Sequence, residues 1–470
     1  MSGSKYNFHD IKNIHFVGIG GVGMSALAQL CAMKGCVVSG SDRLISSGHT
    51  DLAIWTYLEK LNIKIFPQDG SGITKDVQLM VLSSAIEKDN LEIKKANELG
   101  IKIIHRSELL ASYVNKHKTI AITGTSGKST TTSMIFEILR GAGKNPSLIT
   151  GASLLSLQKE GLFGNVYESK SDLLVIEADE SDGSLVNYHP HIGVLLNMEK
   201  DHKELDILET YFDKFKQNCE HFIVNADEKS LEKFKNDCKT FGLEHGDIKA
   251  TNINLGGFET TFEINGVGFS LPEVGKYNLY NAVAAISVCV QLGVSLLDCA
   301  KSLTNFGGVY KRFNKIGSFG EGENRIEVID DFAHNPHKIS ACLSACRLRG
   351  KRVLAYFQPH AHYSVKLLAK EFAETFETDI KDSDIMWLAD IYYPGGTVDE
   401  KVSSKDILSL MKDSKNIKNI GNKQQEMADI IETAKEGDVI VVMGARDPGL
   451  TQFARNIFEG VKKKVSSQVV

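Results

Sequence analysis

The sequence predicts an α/β protein of three domains, each built around a mainly parallel sheet. Strand-like apolar runs alternate with helix-like segments through most of the chain, which is the pattern of parallel α/β folds. Two glycine-rich turns each follow such a strand and open a helix, so two units carry the same strand–turn–helix arrangement. A chain of 470 residues is also too long for one hydrophobic core. We place the domains at residues 1–116, 117–315 and 316–470.

The first domain begins with an apolar strand, a glycine-rich turn and a helix that continues to Met33. Four strands are predicted in it, at residues 14–18, 37–39, 79–82 and 101–104. Residues 111–118 are predicted to be a linker, because a polar run from Asn115 to Lys118 interrupts the apolar pattern. A second unit therefore begins at the strand that follows.

The central domain is predicted to open with a strand at 119–123 and a helix that runs through Leu139. Further strands are expected at 173–176 and 194–197. The turn-rich residues 318–324 mark either a domain boundary or a hairpin. Beyond them, strands predicted at 326–329, 353–357, 385–388 and 439–442 alternate with helices and define the third domain. The tail after Glu459 is expected to fray.

Composition and charge narrow the class of protein. The 54 basic and 59 acidic side chains give a formal charge of −5, which supplies no general reason to bind nucleic acid or a membrane. No apolar run reaches the roughly 18 residues of a membrane-spanning helix. The eight cysteines are scattered without a CxxC pair, which favours reduced thiols. We expect a cytoplasmic protein with no nucleic-acid partner and no membrane insertion.

A phosphate-binding loop is the strongest functional signal in the sequence. Residues 123–132 read Thr-Gly-Thr-Ser-Gly-Lys-Ser-Thr-Thr-Thr and lie between an apolar strand and a helix. Glycines let backbone N–H groups turn toward a phosphate, and the helix N-terminus adds partial positive charge. The lysine can reach the outer phosphates, where it would be catalytic, and the hydroxyl after it can bind Mg²⁺. We predict that ATP is bound by Gly124, Thr125, Ser126, Gly127, Lys128, Ser129 and Thr130.

The sequence of this loop allows other interpretations. It is shorter than the full G-x-x-x-x-G-K-[ST] pattern, since Thr123 stands where a glycine would fall. The alternative is a helix N-terminus with an exposed lysine, which the strand–loop–helix context disfavours. No N-K-x-D segment follows at a suitable distance, so a guanine nucleotide is disfavoured. The loop alone leaves a kinase or a motor open.

Carboxylates follow a second buried strand of the central domain. Glu177 closes the apolar run Leu173-Leu174-Val175-Ile176 and begins the acidic segment 177–182. A carboxylate at a strand end beside a phosphate loop is the arrangement that holds Mg²⁺ in such sites. His202 follows the next strand and is a further candidate, although an isolated histidine is more often a surface residue. The predicted metal ligands are Ser129, Glu177 and His202, and we expect two Mg²⁺ ions.

The first glycine-rich turn satisfies G-x-G-x-x-G from Gly18 to Gly23. Asp42 lies 42 − 18 = 24 residues after the first glycine, near the position of a ribose-binding acid. The pattern indicates a diphosphate at a helix N-terminus, which suits NAD or a UDP-sugar; a tight turn without a ligand is the alternative. A dehydrogenase has no need of the second loop and a simple kinase has no need of the first. A ligase that consumes ATP and carries a nucleotide-linked substrate uses both.

The residues resemble the Mur ligase family, and most of all its alanine-adding branch. The resemblance covers essentially the whole chain, in order. Its motifs include Gly20-Gly21-Val22-Gly23-Met24, His105-Arg106-Ser107-Glu108-Leu109-Leu110, Gly275-Lys276-Tyr277-Asn278-Leu279-Tyr280-Asn281 and Asp330-Asp331-Phe332-Ala333-His334-Asn335-Pro336, with 38–42, 83–86, 123–132, 177–182, 201–202 and 311–313.

The resemblance implies a Rossmann-like domain for a UDP-substrate, a central P-loop ATPase-like domain and a C-terminal Rossmann-like domain for an amino acid. It implies UDP-N-acetylmuramate, L-alanine and ATP as substrates, an acyl-phosphate intermediate, and a monomer or homodimer. The UDP-substrate would contact Gly18, Gly20, Gly21, Val22, Gly23, Met24, Ser41, Asp42, Ser83 and Ser84. ATP would also contact Asn278, Asn281, Arg312 and Asp331. The catalytic residues would be Lys128, Glu177, His202, His334 and His360.

Departures from that branch leave the added group open. Ser126 and Ser129 stand where its members usually carry His and Thr, and Asn335 replaces a second His. The arginines expected after Phe357-Gln358-Pro359-His360 are absent, and Lys311, Lys366 or Arg446 would have to replace them. The alternative is a sister ligase that adds another amino acid or a tripeptide to a UDP-muramyl acceptor. A non-catalytic nucleotide-binding scaffold and an NAD dehydrogenase are more remote.

Overall fold

A computed structural model describes residues 11–48, 52–83, 86–199, 204–392 and 402–468. The chain divides into two compact units. The first holds the described residues up to Thr251 together with Glu263–Phe269 and Tyr280–Gly307. The second holds Asn252–Phe262, Ser270–Leu279 and the described residues from Gly308 onward. The predicted α/β class is confirmed in both units.

A five-stranded parallel sheet opens the first unit, with the strand order β3-β2-β1-β4-β5. Its apolar strands are buried because helices cover the sheet, as parallel sheets require. The strands are β1 Asn13–Val17, β2 Val37–Asp42, β3 Lys64–Pro67, β4 Leu79–Leu82 and β5 Lys102–His105. The helices are α1 Val22–Met33, α2 Arg43–Ser46, α3 Ala53–Lys60, α4 Leu91–Glu98 and α5 Arg106–Val114.

The predicted linker at 111–118 was wrong over its first half. Helix α5 continues to Val114, which is fully buried. The helix starts with a capping box in which His105 and Glu108 satisfy each other's backbone groups, a signal that the apolar pattern did not reveal. Only residues 115–117 separate α5 from the next strand.

The second sheet has eight strands in the order β13-β12-β11-β10-β6-β9-β7-β8 and is parallel except for β8. Its strands are β6 Lys118–Thr123, β7 Ser147–Ile149, β8 Val166–Tyr167, β9 Leu173–Glu177, β10 Ile192–Leu195, β11 His221–Asn225, β12 Lys239–Gly242 and β13 Ile248–Lys249. Its helices are α6 Lys128–Gly141, α7 Leu155–Lys159 and α8 Leu205–Asn218, with 3₁₀ turns at Ser184–Asn187 and Lys229–Phe234.

These two sheets belong to one compact unit and share a hydrophobic core. Asn165 is fully buried where they meet. Its amide donates to the carbonyl of Val22 at 3.2 Å, and its oxygen accepts from Gln29 at 3.0 Å. Because both the oxygen and the nitrogen of this buried amide are hydrogen-bonded, the amide fixes how the packed elements align.

Three strands form a separate small sheet, in the order β14-β15-β16. They are β14 Thr251–Leu255, β15 Thr260–Ile264 and β16 Val267–Leu271. Two helices follow, α9 Lys276–Gln291 and α10 Leu296–Thr304. The sequence interpretation did not identify this small sheet, because short strands with half-exposed residues carry little apolar signal.

The last sheet has six strands in the order β17-β18-β22-β19-β20-β21 and is parallel except for β17. Its strands are β17 Asn314–Phe319, β18 Ile326–Asp331, β19 Arg352–Phe357, β20 Ile385–Leu388, β21 Ile417–Lys418 and β22 Asp438–Met443. Its helices are α11 Pro336–Arg347, α12 His362–Asp379, α13 Ser404–Ser409, α14 Lys423–Thr433 and α15 Leu450–Gln468, with a 3₁₀ turn at Gly322–Asn324.

The turn-rich residues 318–324 connect β17 and β18, which are antiparallel, so the hairpin interpretation is confirmed. The domain boundaries stay predictions. The one after residue 116 falls between α5 and β6, whereas the one after residue 315 falls within β17.

The prediction of a frayed tail after Glu459 was wrong, because α15 continues to Gln468. Val461 is fully buried in the core of the last sheet. The ammonium group of Lys464 donates to the carbonyls of Ile431 at 3.2 Å and Ala434 at 3.1 Å. Lys464, one of the lysines that suggested a solvated tail, therefore ties the helix to the end of α14.

All eight cysteines are free thiols, as the sequence predicts. Among the described residues, no helix combines the length and the apolar character needed to cross a membrane.

Core packing beneath α15 predicts the effect of one substitution. Ile457 is fully buried in a cluster that also contains Trp387. We expect Ile457→Ala to lower the free energy of unfolding of the last domain by about 2–5 kcal/mol, because it leaves a cavity. The measurement is urea denaturation followed by tryptophan fluorescence in a Trp55→Phe background, where Trp387 alone reports.

Lys463→Ala, at an exposed position of the same helix, is the control and should change the midpoint little. Equal midpoints for the two variants would show that α15 does not seal this core.

Candidate nucleotide-binding site

The order of strands in the central sheet brings the predicted site residues together. Strand β6 lies between β10 and β9, and all three run parallel. Their carboxyl ends therefore meet at one edge of the sheet, which is where α/β proteins bind ligands. The loop at 124–127 follows β6, Glu177 ends β9, and Asn197 follows β10.

The phosphate loop needs its two glycines for different steric reasons. Gly124 and Gly127 have φ of 132° and 83°, where side chains are strained. A Cβ atom on Gly124 would lie 3.1 Å from the backbone of Asn197, and one on Gly127 would lie 2.3 Å from Oδ1 of Asn281. The loop is thus held between the strand end of β10 and helix α9.

Asn197 fixes the shape of this loop. Its Oδ1 accepts from the backbone N–H of Ser126 at 2.8 Å and from the hydroxyl of Thr125 at 2.9 Å. Its Nδ2 donates to the carbonyl of Ser126 at 3.0 Å. The sequence interpretation treated Asn197 only as a strand end; a polar residue directly after a buried strand beside the loop was the signal that could have identified it.

Lys128 is the buried cation of the site. Its ammonium group donates to Oε2 of Glu180 at 2.7 Å and to the carbonyl of Gly124 at 2.8 Å. Asp179 lies 4.0 Å away. Burial opposes the charge, but Glu180, Asp179 and Glu177 outweigh it and raise the pKa of Lys128 above its usual value. The lysine is therefore charged and ready to neutralise a phosphate.

Two of the predicted metal ligands are in contact. The hydroxyl of Ser129 donates to Oε2 of Glu177 at 2.9 Å. The same oxygen accepts from Thr150 at 3.1 Å and from the backbone of Gly151 at 2.8 Å. A hydroxyl and a carboxylate are hard oxygen donors of the kind that Mg²⁺ prefers, so this pair fits that ion. His202 lies outside the described residues.

A further observation favours an anionic ligand at the loop. The hydroxyl oxygens of Ser126 and Thr123 are buried and have no hydrogen-bond partner among the described residues. Buried hydroxyls normally have partners, so these two suit a ligand with acceptor oxygens. In the part of the chain that the structure describes, no three His, Cys, Asp or Glu side chains form a preassembled metal site.

The two asparagines of α9 that are predicted to contact ATP have different hydrogen-bond partners. Thr131 donates to Oδ1 of Asn281 at 3.2 Å, so Asn281 lies at the phosphate loop. Asn278 donates to the carbonyl of Val274 at 3.0 Å, one turn back along the chain. Thr130 is nearly buried in the first turn of α6.

The first glycine loop is closed by strand β2. The backbone N–H groups of Gly18 and Ile19 donate to the carbonyl of Ser41 at 2.8 and 3.1 Å. Gly20 N–H donates to Oδ2 of Asp42 at 2.8 Å. A Cβ atom on Gly20 would lie 2.6 Å from the ring of Trp55, so no other residue fits the turn.

The remaining residues predicted to contact the UDP-substrate differ in their exposure and in their contacts with this loop. A Cβ atom on Gly18 would touch Ser83 at 3.3 Å, and Ser84 lies outside the described residues. Val22 is 46% exposed at the start of α1, whereas Met24 is only 2% exposed and packs into the core. Only the backbone of Met24 can therefore face a ligand.

Asp42 and Ser41 already have structural partners. Oδ1 of Asp42 accepts from Leu44 N–H at 2.9 Å and so caps α2, while Oδ2 holds Gly20. The hydroxyl of Ser41 donates to the buried carboxylate of Glu92 at 2.5 Å. These contacts hold the loop in shape; contact with a ribose stays a prediction.

Arg106 lies beside the first loop and pairs with the acidic segment after β9, a contact that the sequence did not predict. A Cβ atom on Gly23 would lie 3.0 Å from Nη1 of Arg106. Nη2 of the same guanidinium donates to Oδ2 of Asp182 at 2.6 Å. Asp182 belongs to the acidic segment that also contains Glu180, the partner of Lys128. The acidic segment therefore pairs with Arg106, which lies beside the first loop, and with Lys128 of the phosphate loop.

The second compact unit contains the other predicted residues. Asp331 ends β18, and its carboxylate accepts from the N–H groups of Phe313 at 2.6 Å and Ala333 at 2.7 Å. Burial raises the pKa of Asp331 above its usual value, although these bonds oppose the shift. The guanidinium of Arg312 lies 4.7 Å from the centre of the Phe332 ring.

The two predicted catalytic histidines are neighbours in this unit. The ring centres of His334 and His360 are 5.4 Å apart, at an angle of 63°. His334 is oriented by a 2.8 Å bond between its Nδ1 and the carbonyl of Phe332. His334 and His360 follow the carboxyl ends of β18 and β19, just as the site residues of the central sheet lie at the carboxyl ends of β6, β9 and β10.

The fold and the site define an α/β protein with a phosphate loop of the P-loop type and a second glycine-rich strand–turn–helix loop. Three sequence models of one family match consecutive parts of the chain. They are described as Mur ligase family, catalytic domain, at residues 13–118; Mur ligase middle domain, at 122–289; and Mur ligase, glutamate ligase domain, at 311–446. The chain belongs to the Mur ligase family.

Similar proteins extend over nearly the whole chain. The UDP-N-acetylmuramate–L-alanine ligase of Clostridium novyi is 34% identical, covering 93% of this chain and 95% of its own. That of Clostridium tetani is 35% identical, with 93% and 96% coverage. Among solved structures, the UDP-N-acetylmuramate-alanine ligase of Thermotoga maritima matches with a TM-score of 0.79, 27% identity and coverage of 96% and 99%.

The packing of Gly127 predicts a specific steric effect. We expect Gly127→Ala to weaken ATP binding at least about 10-fold, because a methyl group there collides with Asn281 and deforms the loop. Isothermal titration of the purified variant with MgATP measures the affinity.

Gly143→Ala is a matched control. Gly143 has a similar φ of 73°, but a Cβ atom there meets nothing within 4 Å. It should carry the same backbone strain and retain wild-type affinity. If both alanines weaken binding equally, strain in the chain and not the contact with Asn281 shapes the loop.

Proposed function

We propose that the chain joins L-alanine to the muramyl carboxylate of UDP-N-acetylmuramate and converts ATP to ADP and phosphate. The observation that carries the proposal is that both glycine-rich loops lie in one compact unit, where one acidic segment pairs with Arg106 beside the first loop and with Lys128 of the second. Such a pair suits an enzyme that holds a sugar nucleotide and ATP at once. Similarity at 34–35% identity to proteins named for this reaction supports the choice of substrates.

In the proposed reaction, an oxygen of the muramyl carboxylate attacks the γ-phosphorus of ATP. The bond from that phosphorus to the bridging oxygen breaks, leaving ADP and an acyl phosphate. The amine of alanine then attacks the acyl carbon and loses a proton, and phosphate leaves from the tetrahedral species. The amide product carries one more residue than the acceptor.

Bringing a carboxylate against a triphosphate requires positive charge, which Lys128 supplies from the phosphate loop. We assign the β- and γ-phosphates to Lys128 and to the N–H groups from Gly124 to Ser129. Ser129 and Glu177 would hold Mg²⁺, which neutralises phosphate charge when bound. The first loop, from Gly18 to Gly23, would hold the diphosphate of the sugar nucleotide at the N-terminus of α1.

We assign the remaining roles to the second compact unit. Asp331 and Arg312 would contact ATP, and His334 and His360 would lie at the junction of the amino acid and the acyl phosphate. Closure of the C-terminal domain would exclude water, which would otherwise hydrolyse the acyl phosphate. We propose the domain limits 1–116, 117–315 and 316–470 for this motion.

A panel of amino acids and peptides tests the substrate. We expect phosphate release in the presence of ATP, Mg²⁺ and UDP-N-acetylmuramate only when L-alanine is added, with the product identified by mass spectrometry. Release that requires another amino acid or a tripeptide, with alanine inactive, would assign the chain to a sister activity. This outcome is a specific alternative, because the arginines that the alanine-adding branch carries after His360 are absent from this sequence.

Two lysines at opposite ends of α6 provide the control for ATP dependence in this assay. Lys128→Ala should lower kcat by at least about 100-fold, since it removes a charge that the transition state needs. Lys144→Ala, at an exposed position just beyond the helix, should leave the rate unchanged. Full turnover by the Lys128 variant would refute the mechanism.

The contact between Ser129 and Glu177 predicts a metal effect. We expect Glu177→Gln to raise the Mg²⁺ concentration needed for half-maximal rate by roughly 10-fold or more, because a neutral amide binds Mg²⁺ poorly. The measurement is initial rate against Mg²⁺ at fixed ATP. Glu232→Gln, which changes a carboxylate with an 80% exposed side chain, is the control. Identical Mg²⁺ curves for both variants would remove Glu177 from the metal site.

A further inference from the structure

The acidic segment after β9 holds a cation from each glycine-rich loop region. Glu180, with a side chain only 3% exposed, binds Lys128 of the phosphate loop at 2.7 Å. Asp182, two residues later, binds Arg106 at 2.6 Å. Both cations are therefore paired with carboxylates of one short segment of the chain.

Arg106 occupies a place where an anion on the first loop would meet it. It is the first residue of α5, and its Nη1 lies 3.0 Å from the position that a Cβ atom on Gly23, in the first turn of α1, would occupy. The N–H groups of that turn and a guanidinium are the groups that bind a diphosphate. The carboxylate of Asp182 and a diphosphate would then compete for the same side chain.

One hydrogen-bonded turn of the chain carries both carboxylates. Gly183, with φ of 70°, turns the chain back, and its N–H donates to the carbonyl of Glu180 at 3.1 Å. Asp182 accepts from Ser184 N–H at 2.9 Å in the same turn. Glu180 and Asp182 are therefore joined by a single short turn.

We propose that Asp182 is a positioning residue that couples the two substrate sites, by holding Arg106 away from the sugar-nucleotide diphosphate until ATP displaces Glu180 from Lys128. The inference rests on the proposed function. ATP phosphates take Lys128, the acidic turn relaxes, and Arg106 becomes available to the diphosphate. Because binding linkage is reciprocal, the sugar nucleotide favours ATP to the same extent.

The test measures the affinity for UDP-N-acetylmuramate by isothermal titration, with and without a saturating non-hydrolysable ATP analogue and Mg²⁺. For the wild-type protein we expect the analogue to tighten binding by roughly 5-fold or more. Asp182→Asn should bind the sugar nucleotide more tightly than wild type without the analogue, and the analogue should then change its affinity little. Asparagine keeps the oxygen that accepts from Ser184, so the turn is preserved.

Glu160→Gln is a matched control, because Glu160 forms the same kind of pair with Arg140 on the surface of the same unit at 2.8 Å. It should show wild-type affinity and wild-type coupling. Arg106→Lys retains the charge but loses the fork of donors, and it should weaken sugar-nucleotide binding and reduce the coupling. In an Arg106→Gln background, Asp182→Asn should have no further effect.

A wild-type analogue effect that Asp182→Asn leaves unchanged, or an Asp182→Asn variant that binds the sugar nucleotide more weakly, would overturn the inference while ligation by the wild-type protein stands. A wild-type protein that neither binds UDP-N-acetylmuramate nor ligates an amino acid to it would remove the proposed function as well. The two failures are therefore distinguishable by the wild-type assay alone.

Discussion

Neighbouring parallel strands must end at the same edge of a sheet, and the candidate site depends on this constraint. Because β6 lies between β10 and β9, strand order alone brings the phosphate loop, Asn197 and Glu177 together. Side-chain contacts then refine the geometry. The fold thus creates the meeting point, and the amide and carboxylate at the strand ends give it shape.

Buried charge is the second organising factor. The side chain of Lys128 is only 12% exposed, and an unpaired ammonium group there would be strongly destabilising. Glu180 and Asp179 compensate it, while Asp182 compensates Arg106 at the other loop. The protein therefore carries its own anions where two phosphorylated ligands are proposed to bind. In the proposed reaction each ligand would replace one anionic partner with another, so the cations would remain compensated.

The sequence predicted the local parts of this arrangement well. The strand–turn–helix context of both loops and strand β4 at residues 79–82 follow from short-range patterns. The contact between Ser129 and Glu177, 48 positions apart, was also predicted, because each residue lies near the carboxyl end of a strand of one parallel sheet. The pairing of Lys128 with Glu180 and of Arg106 with Asp182 was not predicted, because the shape of the acidic segment decides which carboxylate meets which cation. Strand order and turn shape determine such contacts, and neither produces a periodic pattern of apolar residues in the sequence. The buried tail helix was missed for a related reason, since Lys464 bonds carbonyls 30 and 33 positions away.

The close packing behind Gly20 has a consequence for binding entropy. Trp55 and Asp42 fill the space behind the turn, and the carbonyl of Ser41 fixes the two residues before it. A loop held on three sides has little conformational freedom left to lose. The entropy lost when a diphosphate binds to it would therefore come chiefly from the diphosphate and not from the loop. The glycines thus keep the loop rigid as well as leaving room for the ligand.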